Sequence, residues 1–145
     1  LVASCYLAIA THESKFAPPG VNIGLFCSTP MVALSRNVSN KAAMEMLLTG
    51  EMVDSEKAEH IGLVNQVVED NNLTESTMTM AKLIASKSSM TLKTGKQAFY
   101  KQKEMSLSDA YDYTSSVMVE NMLKIDAQEG IDAFIEKRQP KWQDE

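Results

Sequence analysis

Residues 39–68 read SNKAAMEMLLTGEMVDSEKAEHIGLVNQVV, and this run decides the fold class. Ser39 is a good N-cap, and the apolar Ala43, Met46 and Leu47 recur at helical spacing, which predicts a helix over residues 40–49. Gly50 supplies the left-handed residue that commonly stops such a helix. Val53 leads into Asp54, a second cap, which predicts a short helix over residues 55–61 ended by Gly62. Residues 63–68, rich in Val, then read as a strand. Helix and strand alternate within one short run, so the class is α/β.

Working outward keeps that class upstream and changes it downstream. Residues 2–10 are apolar almost throughout and include β-branched side chains, which predicts a central strand covered on both faces. Residues 11–15 form a polar turn, Phe16-Ala17 resume a short apolar element, and Pro18-Pro19-Gly20 interrupt regular structure. Pro30 suits the first turn of a following helix, with Ser28 or Thr29 as its cap. After residue 70 the pattern is helical. A helix over residues 73–86 has Leu73, Met80, Leu83 and Ile84 inward, and another covers residues 90–100. Ser108 is read as the cap of a longer helix through Lys124, with Ala110, Tyr113, Val117, Met118 and Met122 as its apolar stripe. Asp126 opens a last helix over residues 127–138, which Pro140 stops. The expected organisation is a core segment, 1–70, and a helical segment, 71–145.

The chain has 145 residues with 44% apolar and 23% charged side chains. That composition suits an ordinary globular protein and excludes a disordered tail, a collagen-like repeat and a disulfide scaffold. The formal net charge of −5, with no dense basic cluster, disfavours a nucleic-acid partner. Cys5 and Cys27 lie in apolar runs and are expected to be buried free thiols of a reducing or intracellular compartment. With two cysteines and two histidines at no tight spacing, no metal site is expected. The longest apolar run falls well short of the roughly 20 residues a membrane-spanning helix needs. The ten methionines are read first as core filler and second as an adaptable contact surface. Leu1 stands where a strand is already under way, so the chain reads as the C-terminal piece of something longer, and no targeting segment is visible in it.

Four stretches together resemble the enoyl-CoA hydratase/isomerase (crotonase) superfamily. Cys5-Tyr6-Leu7-Ala8-Ile9-Ala10 with Phe16 is similar to the family's C-D-[LI]-x-[IV]-A strand and its downstream Phe. Residues 42–50, AAMEMLLTG, resemble the A-x-x-x-x-L-T-G helix. Ala58 with Gly62-Leu63-Val64 and Val67 resembles A-x-x-x-G-L-V-x-x-V. Glu129-Gly130, Ala133-Phe134 and Glu136-Lys137-Arg138 resemble the terminal E-G-x-x-A-F-x-E-K-R. Order and spacing agree along the whole chain, and the run from Pro18 to Pro30 is similar to one particular branch of the family.

The resemblance implies the C-terminal portion of a ClpP/crotonase-like ββα spiral followed by helices that trimerise. It implies an acyl-CoA thioester as ligand, no other cofactor, and a mitochondrial role in fatty-acid metabolism. Backbone N–H groups would hold the thioester oxygen as enolate charge develops, and two glutamates would handle the water and the α-proton. The first glutamate and both oxyanion amides would lie upstream of Leu1. The second glutamate aligns with Gly20, which has no side chain, and the Asp that follows the strand Cys is Tyr6 here. Glu13 and His12 are expected in a solvated turn, and His60 on the surface. Ser28 and Thr29 are expected to cap a helix rather than touch a ligand. No residue is therefore assigned a catalytic role. Phe134 and Lys137 align with the Phe and Lys that, in the family, help hold the CoA of a neighbouring subunit, a Phe face on the nucleotide and an ammonium on phosphate. Their i, i+3 spacing would put both on one helix face.

The residues support two readings. In one, the chain is an enoyl-CoA hydratase/isomerase-like protein of acyl-CoA metabolism without two-glutamate hydration, inactive as the 145 residues alone. In the other, it is a non-catalytic acyl-CoA-binding or assembly subunit. Both expect a homo-oligomer, a trimer or dimer of trimers, with no nucleic acid and no membrane span.

Overall fold

A computed structural model describes residues 1–144 and divides the chain into two compact units, Leu1–Met80 and Ala81–Glu145. In the first unit, strand β1 (Ile9–Thr11) is followed by β2 (Lys15–Phe16), a 3-10 turn at Pro19–Ile23, and helices α1 (Ser28–Ser35) and α2 (Asn40–Thr49). Strand β3 (Val53–Asp54), helix α3 (Ser55–His60) and strand β4 (Gln66–Val68) complete the core. β1 pairs in parallel with β4, Ala10 opposite Val67, and β2 pairs antiparallel with β3, Phe16 opposite Val53.

Two of the caps read from the sequence, Ser39 and Asp54, are present. Ser39 accepts a hydrogen bond from the Ala42 N–H and Asp54 from the Lys57 N–H, each satisfying one of the donors a helix start leaves open. Gly50 sits at φ 63° with its N–H on the Met46 carbonyl. A Cβ there would lie 2.8 Å from Val21 Cγ1, while Asn22 Nδ2 donates to the Gly50 carbonyl at 3.2 Å. Gly50 thus ends α2 and lets the Pro19–Ile23 turn pack against it. Ala43, Met46 and Leu47 are buried, with Ala10, Leu34, Val53, Ala58, Leu63 and Val64 beside them. Ser55, buried at the start of α3, donates to the His12 carbonyl at 3.2 Å. Lys57 Nζ meets Glu45 Oε1 at 2.6 Å across the surface of α2 and α3.

The first unit departs from expectation in several places, and the strand expected over residues 63–68 is confined to Gln66–Val68. The strand expected over residues 2–10 is confined to Ile9–Thr11, and Val2–Ser4 form a 3-10 turn closed by Ser4 N–H on the Leu1 carbonyl and Cys5 N–H on that of Val2. A strand extends only as far as a partner satisfies its backbone, and β4 is short, with the Ala8 N–H and carbonyl already bound to Asn65. Helix α1 starts at Ser28 with Cys27 in the cap position and no capping side chain, so neither Ser28 nor Thr29 is the cap. Pro30 still falls in the first turn, where a missing N–H costs nothing. The thiols are free but not buried: Cys5 is exposed and Cys27 half-buried.

Helix α4 (Leu73–Ala85) leads from the first unit into the second, which holds α5 (Ser89–Gln102), α6 (Leu107–Met122) and α7 (Ile125–Glu136). Leu73 and Met80 are half-buried, but Leu83 and Ile84 are exposed rather than inward. The cap of α6 is Ser106, not Ser108: its hydroxyl accepts from the Asp109 N–H and donates to the Asp109 carboxylate at 2.7 Å. Ala110 on that helix is buried, whereas Met118 and Met122 are exposed. Among the methionines only Met46 is buried and five are exposed, so core filling is not their main role. Asp126 lies inside α7 rather than opening it, and is 1% exposed.

Candidate functional site

Two features bear on chemistry, one in each unit. In the first unit, Gly20 sits in the Pro19–Ile23 turn, its N–H directed at Cys27 Sγ at 3.3 Å and its carbonyl accepting from the Leu25 N–H at 3.0 Å. A Cβ placed on Gly20 would lie 2.5 Å from the Leu25 carbonyl oxygen and 2.7 Å from Cys27 Sγ. Backbone occupies the space where a side chain would begin, so glycine here is a packing requirement. Position 20, where the resemblance places a glutamate, carries no carboxylate.

The other polar residues singled out from the sequence are dispersed over the first unit. His12 Nε2 stands 3.7 Å from Glu69 Oε1, both on the surface, and Glu13 is exposed in the same turn. His60 is exposed at the last position of α3. Tyr6 is exposed. Ser28 donates to the Phe26 carbonyl at 3.3 Å. Thr29 lines a cleft of about 490 Å³ whose other walls include Phe16, Pro18, Met46 and Leu63. No two of these polar groups form an acid–base pair aimed into that cleft. Among the described residues no group of three His, Cys, Asp or Glu side chains could hold a metal ion, and no helix is long and apolar enough to cross a membrane.

In the second unit, Phe134 lies in the last turn of α7 and is 85% exposed. Lys137 is exposed and follows the helix at φ 56°, ψ 39°, a left-handed residue whose N–H reaches the Ala133 and Phe134 carbonyls. The expected shared helix face is therefore corrected: Lys137 has left the helix, and the chain reverses at it. Arg138 N–H closes the turn on the Ala133 carbonyl at 3.0 Å. Among the described residues the Lys137 ammonium has no ion-pair partner.

Beyond that turn, the chain from Arg138 to Asp144 is fastened along α7. Glu129 accepts from Arg138 Nη1 at 2.6 Å and Nη2 at 2.9 Å, and from the Lys141 N–H at 2.6 Å. Arg138 Nε also donates to Glu136. Buried Asp126 accepts from the Gln143 N–H at 2.7 Å and the Asp144 N–H at 3.1 Å. Trp142 Nε1 donates to the Ser86 carbonyl at 2.8 Å, and its ring lies against Gly130. The Asp144 carboxylate in turn accepts from the Ser89 N–H at 2.7 Å. The Arg138 fork and the Lys141 N–H hold the Glu129 carboxyl down from 4.5 to about 2, because both favour the ionised form. The Ser88 side chain and the two tail N–H groups lower that of Asp126 against the opposing effect of burial. Sequence reasoning missed this arrangement, since the contacts of Glu129 and Asp126 with the tail span nine to eighteen residues, those of Trp142 and Asp144 with Ser86 and Ser89 span more than fifty, and no local period marks them.

Comparison with known proteins agrees with this architecture. The family pattern described as Enoyl-CoA hydratase/isomerase matches residues 1–145. The human enoyl-CoA hydratase domain-containing protein 3, mitochondrial, is 51% identical over 145 residues, all of this chain and 48% of that protein. It represents the branch that the run from Pro18 to Pro30 resembles. The crystal structure of that human protein superimposes with a TM-score of 0.93 at 51% identity, over 97% of this chain and 56% of the other. The crystal structure of an enoyl-CoA hydratase from Mycobacterium smegmatis does so with a TM-score of 0.94 at 48% identity, over 97% and 55%. The chain spans about half the length of the curated relatives it matches.

Proposed function

This chain belongs to the enoyl-CoA hydratase/isomerase family, and from that membership we propose that it serves acyl-CoA metabolism without performing two-glutamate hydration. The observation that carries the proposal is Gly20. Hydration needs one group to activate water and another to exchange the α-proton, each within hydrogen-bond reach of its proton. At Gly20 there is no such group, and the Leu25 carbonyl and Cys27 thiol fill the place where one would begin. On this reading the 145 residues alone turn over no thioester.

The same proposal gives Phe134 and Lys137 the task of binding coenzyme A. A phenylalanine 85% exposed at the end of a helix offers an apolar face for a nucleotide base, and the ammonium three residues on offers a charge-assisted contact to phosphate. No other cofactor is required. The exposed Phe134 favours a second reading just as well, in which the protein binds acyl-CoA or supports an assembly and catalyses nothing. We further propose a fatty-acid substrate class, a trimer or dimer of trimers, and a mitochondrial location like that in the names of the relatives. The apolar Leu107, Leu123 and Ile135, all exposed in the second unit, support oligomerisation.

Calorimetric titration with coenzyme A tests the binding half. The expected result is saturable heat that Phe134→Ala and Lys137→Ala each weaken by about tenfold. Absence of binding by the parent chain, or indifference to both substitutions, would remove it.

A further inference from the structure

Lys137 occupies a conformation that side-chain-bearing residues avoid. A left-handed backbone is unfavourable for an L-residue other than glycine, and glycine is the usual occupant of this position after a helix. Such a residue persists where its surroundings hold it, and strain of this kind gathers at functional sites. The surroundings here are specific. Glu129 grips the residue immediately after Lys137 through the Arg138 fork, at 2.6 and 2.9 Å, and the chain further on through the Lys141 N–H at 2.6 Å. Asp126, Glu129, Gly130 and Ala133 form one stripe of α7, and the returning segment lies along it by way of Gln143, Lys141, Trp142 and Arg138. Every one of these contacts leaves the Lys137 ammonium outside the network.

We infer that Glu129 is a positioning residue: acting through Arg138 and Lys141, it holds the left-handed turn that presents Lys137 to a phosphate-bearing ligand. The inference rests on the coenzyme A reading of Phe134 and Lys137 and deepens it by naming what sets the geometry of that site. Glu129 itself touches no ligand. Without it the turn relaxes toward right-handed geometry, the binding-competent state is populated less, and apparent affinity falls by that fraction.

A double-mutant cycle on the 145-residue chain, read by coenzyme A titration, separates the possibilities. Lys137→Ala should weaken binding by about tenfold in the parent chain. In a Glu129→Ala background, itself weakened, the same substitution should cost less than about threefold, because the two positions act as one unit. Arg138→Lys keeps the charge but loses the fork, and should reproduce the Glu129→Ala result if that variant folds poorly. Additive effects of Glu129→Ala and Lys137→Ala, or unchanged affinity in both latch variants, would overturn the positioning role while leaving the coenzyme A reading intact. No effect of Lys137→Ala in the parent would overturn both.

Discussion

Gly20 and Lys137 are mirror cases of a residue chosen against convenience. At Gly20 the absent side chain is enforced by a carbonyl oxygen 2.5 Å from any Cβ. Backbone cannot yield as a flexible side-chain tip can, so Gly20→Ala should destabilise the first unit by about 1–3 kcal/mol, the usual cost of overpacking, measured by thermal or urea unfolding. Gly20→Glu should do the same and create no hydratase. At Lys137 the side chain is present where glycine would be easier. Lys137→Gly should therefore leave stability unchanged or raise it by up to about 1 kcal/mol, while weakening coenzyme A binding. A lysine kept only for structure would give no loss of binding. The sequence shows the missing carboxylate at position 20 but not the reason for it, since Leu25 and Cys27 approach through a turn with no periodic signature. It likewise places Lys137 beside Phe134 without showing that the helix has already ended.

The starts of α2 and α3 are legible because a cap is a local event: Ser39 and Asp54 each accept from an N–H three residues on. Ser39→Ala or Asp54→Ala should each cost about 1 kcal/mol in unfolding free energy. Where two serines stand close together, as at Ser106 and Ser108, composition cannot choose, and the hydrogen bond to Asp109 decides for Ser106. The segment after α7 was illegible for the opposite reason. Its anchors Asp126 and Glu129 are carboxylates on a helix face, which sequence patterning assigns to solvent, yet they bind backbone N–H groups of residues 141–144. Both carboxyls titrate below their ordinary values, so both fold-linked contributions are complete above the ordinary carboxylate range and fade as pH falls through the lowered values. The attachment should hold at about pH 5 and weaken only below about pH 4, toward the Glu129 value of about 2. Trp142 is the sole tryptophan, and its fluorescence should report this release. A transition centred near neutral pH would contradict the arrangement.

For the molecule as a whole, the α/β class and the family were readable because four motifs keep their order and spacing along the chain. Strand extent was not, because it depends on a partner strand's length. Thus residues 2–10 have the composition of a strand, yet only Ile9–Thr11 meet β4. The burial of Cys5, Met118 and Met122 was misjudged in the same way: apolar character says what a residue prefers, not whether this chain supplies something to cover it. At the scale of the whole chain, the Gly20 turn is expected to block hydration even where the remaining machinery is supplied. The deciding measurement is enoyl-CoA hydration at saturating substrate by this chain joined after the first half of a family hydratase that carries its own first glutamate. The expected rate is no faster than the enzyme-free blank. Hydration clearly above that blank would contradict it.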